Sequence, residues 1–125
     1  MARKANPVIW FEIPVKNLKR ATRFYEGVFG MNLTPETMGP MKMAMFPGRQ
    51  GEMGTPGSLV KSKGYKPSLT ATTLYFTSSD IAGTLRKVTA RGGKVLMPKM
   101  SIGKWGFIAH FRDTEGNRVA LHSMK

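Results

Sequence analysis

The sequence predicts an α+β fold made of two modules, each with the element order strand, helix and three strands (βαβββ), around a ligand-sized cleft. Two observations predict it. Each half of the 125-residue chain begins with an apolar strand pattern, followed by an amphipathic helix that a polar residue caps and glycine ends. A shift of 63 residues aligns the two halves and places Asn17 on Asp80 and Gly30 on Gly93.

The repeat also sets the domain organisation. The modules cover about residues 6–63 and 68–125 and form a single domain over 1–125, a usual length for one domain. Neither module is expected to bury its apolar face alone. We therefore expect the modules to pack on each other or on the modules of a second chain.

The first module opens with an aromatic and β-branched pattern that predicts a strand over residues 8–15. Asn17 can cap the following helix, and Gly30 can end it. The apolar face of that helix, at three- and four-residue steps, consists of Leu18, Ala21, Tyr25 and Val28. Three shorter strands are predicted around residues 31–34, 42–46 and 58–61, with a glycine-rich loop over 47–57.

The second module repeats this order. A strand is predicted over residues 70–77, followed by a helix that Asp80 caps and Gly92 and Gly93 end. Its apolar face consists of Ile81, Leu85 and Val88. Three further strands are predicted over residues 94–97, 106–111 and 118–122.

The turn over residues 113–117 predicts which side chains share a face of the second sheet. If this turn closes a hairpin that pairs Arg112 with Arg118, then His110 lies across from Ala120. Opposed residues point to the same side of a sheet, so His110, Ala120 and His122 should line one concave face.

Composition excludes some chemistry. The chain has no cysteine, which excludes disulfides and thiolate catalysis, and no apolar run approaches the roughly 20 residues of a membrane helix. We expect a cytoplasmic protein without membrane contact. Twenty Lys and Arg against seven Asp and Glu give a net charge of +13, but these residues are scattered, which favours a solvated basic surface over a nucleic-acid site.

Two motifs resemble the signatures of a known superfamily. The segment 15–30 resembles the first strand–helix signature of glyoxalase/bleomycin-resistance/dioxygenase proteins, the vicinal-oxygen-chelate superfamily. Residues 92–95 and 111–119, with their Asp-x-Glu-Gly-Asn turn, resemble the second signature. The resemblance implies two βαβββ modules whose curved mixed sheets enclose a cleft, and it implies a homodimer.

The same resemblance makes the family's metal site unexpected here. Metal-binding members place ligands at positions that fall on Trp10, Thr73 and Ala120, and near residues 57–59 of this chain. These residues offer no imidazole or carboxylate. We therefore expect no metal ligand of the family type and no cofactor, with an atypical divalent metal left open.

Several side chains are candidates for the cleft. Glu12 and His110 are candidate acid/base groups, although a surface glutamate and a structural histidine are equally ordinary interpretations. Thr73 and His122 should face the cleft. Aromatic residues that could bind a flat ligand, or pack in the core, are Trp10, Phe46, Tyr75, Trp105 and Phe107.

These observations favour a protein that binds a small aromatic or anionic molecule in its cleft. The first alternative is a lyase, isomerase or dioxygenase relative that uses Glu12 and His110 in proton transfer. The second is a protein that binds polyanions or nucleic acid through its +13 surface.

Overall fold

The computed structural model describes residues 6–49 and 51–125. Residues 1–5, and Gln50 within the predicted loop over 47–57, lie outside this part. The described elements of the first module are β1 (Phe11–Pro14), α1 (Leu18–Phe29), β2 (Thr34–Met38), β3 (Met41–Met45) and β4 (Gly57–Lys61). Those of the second module are β5 (Tyr75–Thr77), α2 (Ile81–Ala90), β6 (Lys94–Ser101), a 3-10 turn (Gly103–Trp105), β7 (Phe107–Arg112) and β8 (Arg118–Ser123).

The two modules form two open mixed sheets with the same topology. The strand order is β1-β4-β3-β2 in the first sheet and β5-β8-β7-β6 in the second. In each sheet the first strand pairs in parallel with the last strand of its module, and the other neighbours pair antiparallel. Each helix packs on the sheet of its own module. The predicted pair of βαβββ modules is confirmed.

The two helices form where their local sequence predicts them. The Asn17 side chain accepts a hydrogen bond from the Arg20 amide at 2.9 Å, and Asp80 accepts one from the Gly83 amide at 3.0 Å. Gly30 ends α1 with a φ of 64°, a left-handed conformation that glycine adopts at little cost. Caps depend on residues three positions apart, so the sequence is sufficient to locate them.

Strand boundaries differ from the predicted ones in both modules. The strand predicted over 8–15 begins only at Phe11. The strand predicted at 31–34 begins at Thr34, because the Leu33 amide donates to the Glu26 carboxylate of α1 at 2.9 Å. The strand predicted over 70–77 covers only the last three of these residues.

The strand predicted over 94–97 is longer than expected, because β6 continues through Pro98 to Ser101. Its pairing with β7 shifts register between Met97 and Met100. Proline lacks a backbone N–H, and an irregular edge strand tolerates that loss.

One apolar core joins the two modules. The rings of Phe11 and Phe76, from the first strands of the two modules, lie 5.8 Å apart. The ring of Phe24 in α1 lies 6.0 Å from that of Phe111 in β7. The modules therefore pack on each other within one chain, as one of the two predicted arrangements requires.

The turn over residues 113–117 attaches the second module to the first through buried hydrogen bonds. Asp113 accepts from the amides of Glu115 and Asn117 at 2.8 and 2.9 Å, and from the Tyr25 hydroxyl of α1 at 2.6 Å. Burial first, and the Asp113 carboxylate second, raise the pKa of Tyr25 well above its ordinary value, so its hydroxyl stays protonated. The Asn117 side chain donates to the Pro14 carbonyl at 2.8 Å.

Glu115 completes this attachment. Its carboxylate accepts from the amides of Lys16 and Asn17, both at 2.8 Å, and from the Arg20 Nε at 2.7 Å. The residue is 4% exposed. Burial by itself would raise the pKa of Glu115, but the hydrogen bonds from Arg20, Asn17 and Lys16 outweigh it and hold the pKa below its ordinary value.

The first prediction concerns this carboxylate. Glu115→Gln should lower the free energy of unfolding by about 2 kcal/mol, because it removes charge-assisted hydrogen bonds to a buried carboxylate. Urea denaturation measures the loss. The matched change Glu36→Gln, on the exposed strand β2, should stay within about 0.5 kcal/mol of the wild type. Equal effects of the two substitutions would contradict the proposed role of Glu115.

The lowered pKa adds a pH dependence to the same experiment. The contribution of ionised Glu115 is complete above the ordinary glutamate value of 4.5 and is lost as the pH falls through the lower pKa of the folded protein. The difference in stability between the wild type and Glu115→Gln should therefore be constant near neutral pH and shrink below about pH 4.5. A difference in stability that grows on acidification would contradict a lowered pKa of Glu115.

Candidate ligand-binding cleft

One face of the second sheet carries both predicted histidines. In the β7–β8 hairpin Arg112 pairs with Arg118, His110 with Ala120, and Ile108 with His122. His110, Ala120 and His122 therefore lie on the same face, as the spacing of the turn predicts. The side chains of Ala109 and Phe111 point the other way, into the core.

Two side chains meet above Ala120. Tyr75 on β5 and His110 on β7 are the direct neighbours of Ala120 on either side of β8, so all three point to the same side. The Tyr75 hydroxyl lies 3.1 Å from His110 Nε2. Ala120 has no exposed surface. The Tyr75–His110 pair thus spans β8 and covers Ala120.

Arg118 determines which ring nitrogen of His110 carries the proton. Its Nη1 donates to His110 Nδ1 at 3.0 Å, and a guanidinium can only donate, so Nδ1 carries no proton. Burial first, and the charge of Arg118 second, lower the pKa of His110 below its ordinary value. The neutral ring therefore carries its proton on Nε2 and donates it to Tyr75. The Tyr75 hydroxyl hydrogen is left available for an acceptor outside the pair.

The equivalent positions of the first sheet carry different side chains. By register, Glu12 and Met45 flank Ser58 as Tyr75 and His110 flank Ala120. Glu12 is exposed and accepts from Trp10 Nε1 at 3.4 Å and from the hydroxyl of Tyr65 at 3.0 Å. The Ser58 hydroxyl is fully buried, and it has no hydrogen-bond partner among the described residues.

A cavity of about 350 Å³ separates β1 from the segment that enters β5; we call it the cleft. Trp10 and Glu12 line one side, and Lys66 and Arg118 lie on its wall. A neighbouring apolar cavity of about 430 Å³ is lined by side chains that include Tyr75. The two share Phe11, Leu74 and Val8 in their walls. Both volumes are within the range of small-molecule sites.

The other predicted site residues lie outside the cleft. Phe46 is 9% exposed and packs in the core, where its ring lies 5.6 Å from that of Tyr25, although its edge also lines the apolar cavity. Phe107 packs against the core with Lys99 above its ring at 4.6 Å. Thr73 is half-buried, and its neighbours Thr72 and Leu74, rather than Thr73 itself, line the cleft.

Trp105 and His122 form a separate contact. His122 Nε2 donates to the Trp105 carbonyl at 2.6 Å, which fixes the 3-10 turn against β8. The Trp105 side chain is 65% exposed. These two residues lie together, but neither lines the cleft or the apolar cavity.

Sequence reasoning missed three residues of the cleft region. Arg118 alternates with Ala120 along β8, so its position on the same face followed from the predicted hairpin. Tyr65 and Lys66 belong to the segment between the modules, and they reach the cleft through contacts that local spacing does not reveal. The contact of Tyr65 with Glu12 spans 53 residues.

The chain belongs to the glyoxalase/bleomycin resistance protein/dioxygenase superfamily, whose model matches residues 8–121. A glyoxylase-like domain-containing protein of Didymella fabae is 32% identical over 116 residues, which are 88% of each chain. A glyoxylase/bleomycin resistance protein/dioxygenase domain from Frankia superposes with a TM-score of 0.72 at 16% identity over 95% of this chain and 98% of that one.

A mutant of glyoxalase I from Zea mays superposes with a TM-score of 0.69 at 21% identity over 94% of this chain. The match covers 46% of the maize chain, so this protein spans about half the length of that enzyme. At such identities the superpositions show the fold alone. In the described part of the chain, no helix is long and apolar enough to cross a membrane.

The residues that the resemblance assigns to the metal positions offer few donor atoms for a divalent cation. Trp10 and Ala120 offer no donor atom suited to a divalent cation, and Thr73 and Ser58 offer only hydroxyls. Within residues 6–49 and 51–125, no three His, Cys, Asp or Glu side chains are grouped as a metal site would require. The Tyr75–His110 pair also fills the space above Ala120.

The second prediction concerns His110. Its imidazole pKa should lie below the ordinary value of 6.5, and nitrogen-detected NMR should show the neutral ring protonated at Nε2. Arg118→Met should raise the pKa, because it removes a neighbouring positive charge. Lys66→Met, the same change of charge on the wall of the cleft, should leave the tautomer unchanged. A ring protonated at Nδ1 would contradict the assignment.

Proposed function

We propose that this protein binds a small aromatic or anionic molecule in the cleft between its modules, without a metal of the family type. The observation that carries the proposal is the arrangement at Ala120. The position of the family's carboxylate is an alanine, and the hydrogen-bonded Tyr75–His110 pair covers it. Of this arrangement Tyr75 lines the apolar cavity that adjoins the cleft, so a hydrogen-bond donor is available there.

The polar groups of the cleft favour an anionic ligand. Arg118 and Lys66 line its wall, and the only carboxylate lining it among the described residues is that of Glu12. Glu12 already accepts hydrogen bonds from Trp10 and Tyr65. A carboxylate or phenolate on the ligand would find the cations of Arg118 and Lys66, while its ring could lie against the Trp10 indole.

The Tyr75 hydroxyl adds a directed donor. Because His110 donates to it, the Tyr75 hydrogen can point into the apolar cavity, which adjoins the cleft. A ligand oxygen that reaches this cavity would accept that hydrogen. His110 acts in this proposal as a positioning residue, since Arg118 occupies Nδ1 and the Nε2 proton is already donated.

A second candidate function is catalysis. Glu12 lines the cleft together with Arg118, so a carboxylate and a guanidinium are available to one ligand. In this alternative Glu12 exchanges a proton with a bound substrate, whereas His110 lines neither cavity and has both ring nitrogens in hydrogen bonds. Turnover of an identified ligand that is lost in Glu12→Gln but not in Glu36→Gln would support this alternative.

The assembly and location that the resemblance and composition imply also remain proposals. We propose a cytoplasmic homodimer. Large apolar side chains are exposed on the surface, among them Ile9 (80%), Met38 (62%) and Met53 (102%). Sedimentation velocity across a range of concentrations would show whether a second copy associates.

The third prediction tests the ligand class. Benzoate, benzamide and benzylammonium provide one ring with three different charges. In a Trp105→Phe variant, Trp10 is the single remaining tryptophan, and its fluorescence should respond most strongly to benzoate. Arg118→Met and Tyr75→Phe should each weaken benzoate binding by about tenfold, the value of one charge-assisted hydrogen bond.

The matched control is Arg112→Met. Arg112 pairs with Arg118 across the hairpin but lines neither cavity, so its loss should leave the affinity unchanged. Benzylammonium that binds as tightly as benzoate, or equal losses in Arg112→Met and Arg118→Met, would contradict an anion-selective cleft.

The fourth prediction tests the metal. Elemental analysis of protein purified without chelator should find less than one equivalent of zinc, nickel, iron or manganese. EDTA should leave the midpoint of thermal unfolding unchanged, because a ligand that does not bind cannot stabilise the fold. One equivalent of metal retained through dialysis, with a lower midpoint in EDTA, would overturn the metal-free proposal.

A further inference from the structure

Another concave site lies on the helical side of the molecule, outside the cleft and the apolar cavity. It has a volume of about 310 Å³ and lies between α1 and the residue that follows α2. Its wall contains four cationic residues and no carboxylate: the complete lining is Asn17, Lys19, Arg20, Arg23, Phe24, Arg91 and Thr114. We call it the basic pocket.

Three of these cations are free to bind a ligand. Arg20 uses Nε and Nη2 on Glu115. Lys19, Arg23 and Arg91 have no carboxylate within 4.0 Å among the described residues. Lys19 and Arg23 also lie four positions apart on α1, where like charges destabilise a helix. Their placement is unfavourable for the helix alone and favourable for an anion bound between them.

Arg91 is positioned by a glycine of the other module. A Cβ added at Gly27 would lie 2.6 Å from Cζ of Arg91, so the guanidinium rests directly against the backbone of α1. Glycine inside a helix is less favourable than alanine. Here the missing side chain is what allows Arg91 to reach α1, and this brings its cation to the same pocket as Arg23.

The chemistry of the basic pocket selects its ligand. Guanidinium groups bind phosphate oxygens through paired N–H donors, and two arginines with a lysine match an anion that carries several charges. The volume is at the lower end of small-molecule sites. We infer that the basic pocket binds a small phosphorylated anion with a diphosphate group. The cations that bind it are Lys19, Arg23 and Arg91, the last of which packs against Gly27.

Inorganic pyrophosphate is the probe, titrated into the full chain by calorimetry. We expect saturable binding of one pyrophosphate per chain. Arg23→Gln and Arg91→Gln should each weaken it about tenfold or more. Arg86→Gln is the matched control, since Arg86 lies on α2 but lines a different concavity. The affinity of the Arg86→Gln variant for pyrophosphate should equal that of the wild type.

Gly27→Ala tests the contact between Arg91 and α1 independently of folding. Alanine favours the helix, so the thermal midpoint should hold or rise, while the displaced Arg91 should weaken pyrophosphate binding about tenfold. Unchanged affinity in Gly27→Ala, absence of saturation, or equal losses in Arg86→Gln and Arg91→Gln would overturn the inference.

A DNA duplex provides the remaining comparison. Attraction by the general +13 charge would bind DNA at several sites with steep salt dependence. If pyrophosphate binding falls with salt as steeply as duplex binding and is insensitive to Arg91→Gln, the basic surface acts as a whole and the pocket is not a specific site.

Discussion

The hydrogen bonds that the 113–117 turn makes to the first module are the interaction on which the rest of the structure depends. Asp113 and Glu115 are almost fully buried, and between them they bind the Tyr25 hydroxyl, the amides that precede α1 and the Arg20 guanidinium. Buried carboxylates are costly unless every oxygen is satisfied. Because this condition is met only when the two modules are correctly docked, the turn fixes the relative position of the modules, and with it the width of the cleft.

The same backbone pattern carries two different sets of side chains. Equivalent register positions hold Glu12 and Tyr75, and Ser58 and Ala120. The first module places an exposed carboxylate beside Ser58, whereas the second places a hydrogen-bonded aromatic pair around Ala120. A duplicated scaffold therefore presents asymmetric side chains, in which the fold is common to the superfamily and the polar groups belong to this chain.

What the sequence could predict depended on the range of the interactions. The helices were predictable because Asn17 and Asp80 act on amides three residues away. The side of the sheet to which His110 points was predictable because a short turn sets the pairing of β7 with β8. The ends of β2 and β5 were not, since they depend on partners elsewhere in the fold. Two contacts join different elements, and no spacing rule reveals such pairs. They are those of Tyr65 with Glu12 and of Arg91 with Gly27.

The order of strands places β2 and β6 at one edge of their sheets, with β1 and β5 at the other edge. Unpaired strand edges invite other chains to add to a sheet. Here β2 carries Pro35 and Glu36, and β6 carries Pro98 and Lys99 beside its register shift, which are features that oppose strand addition. These two edges are thereby protected against the addition of a strand from another chain, which leaves β1 and β5 as the edges open to pairing.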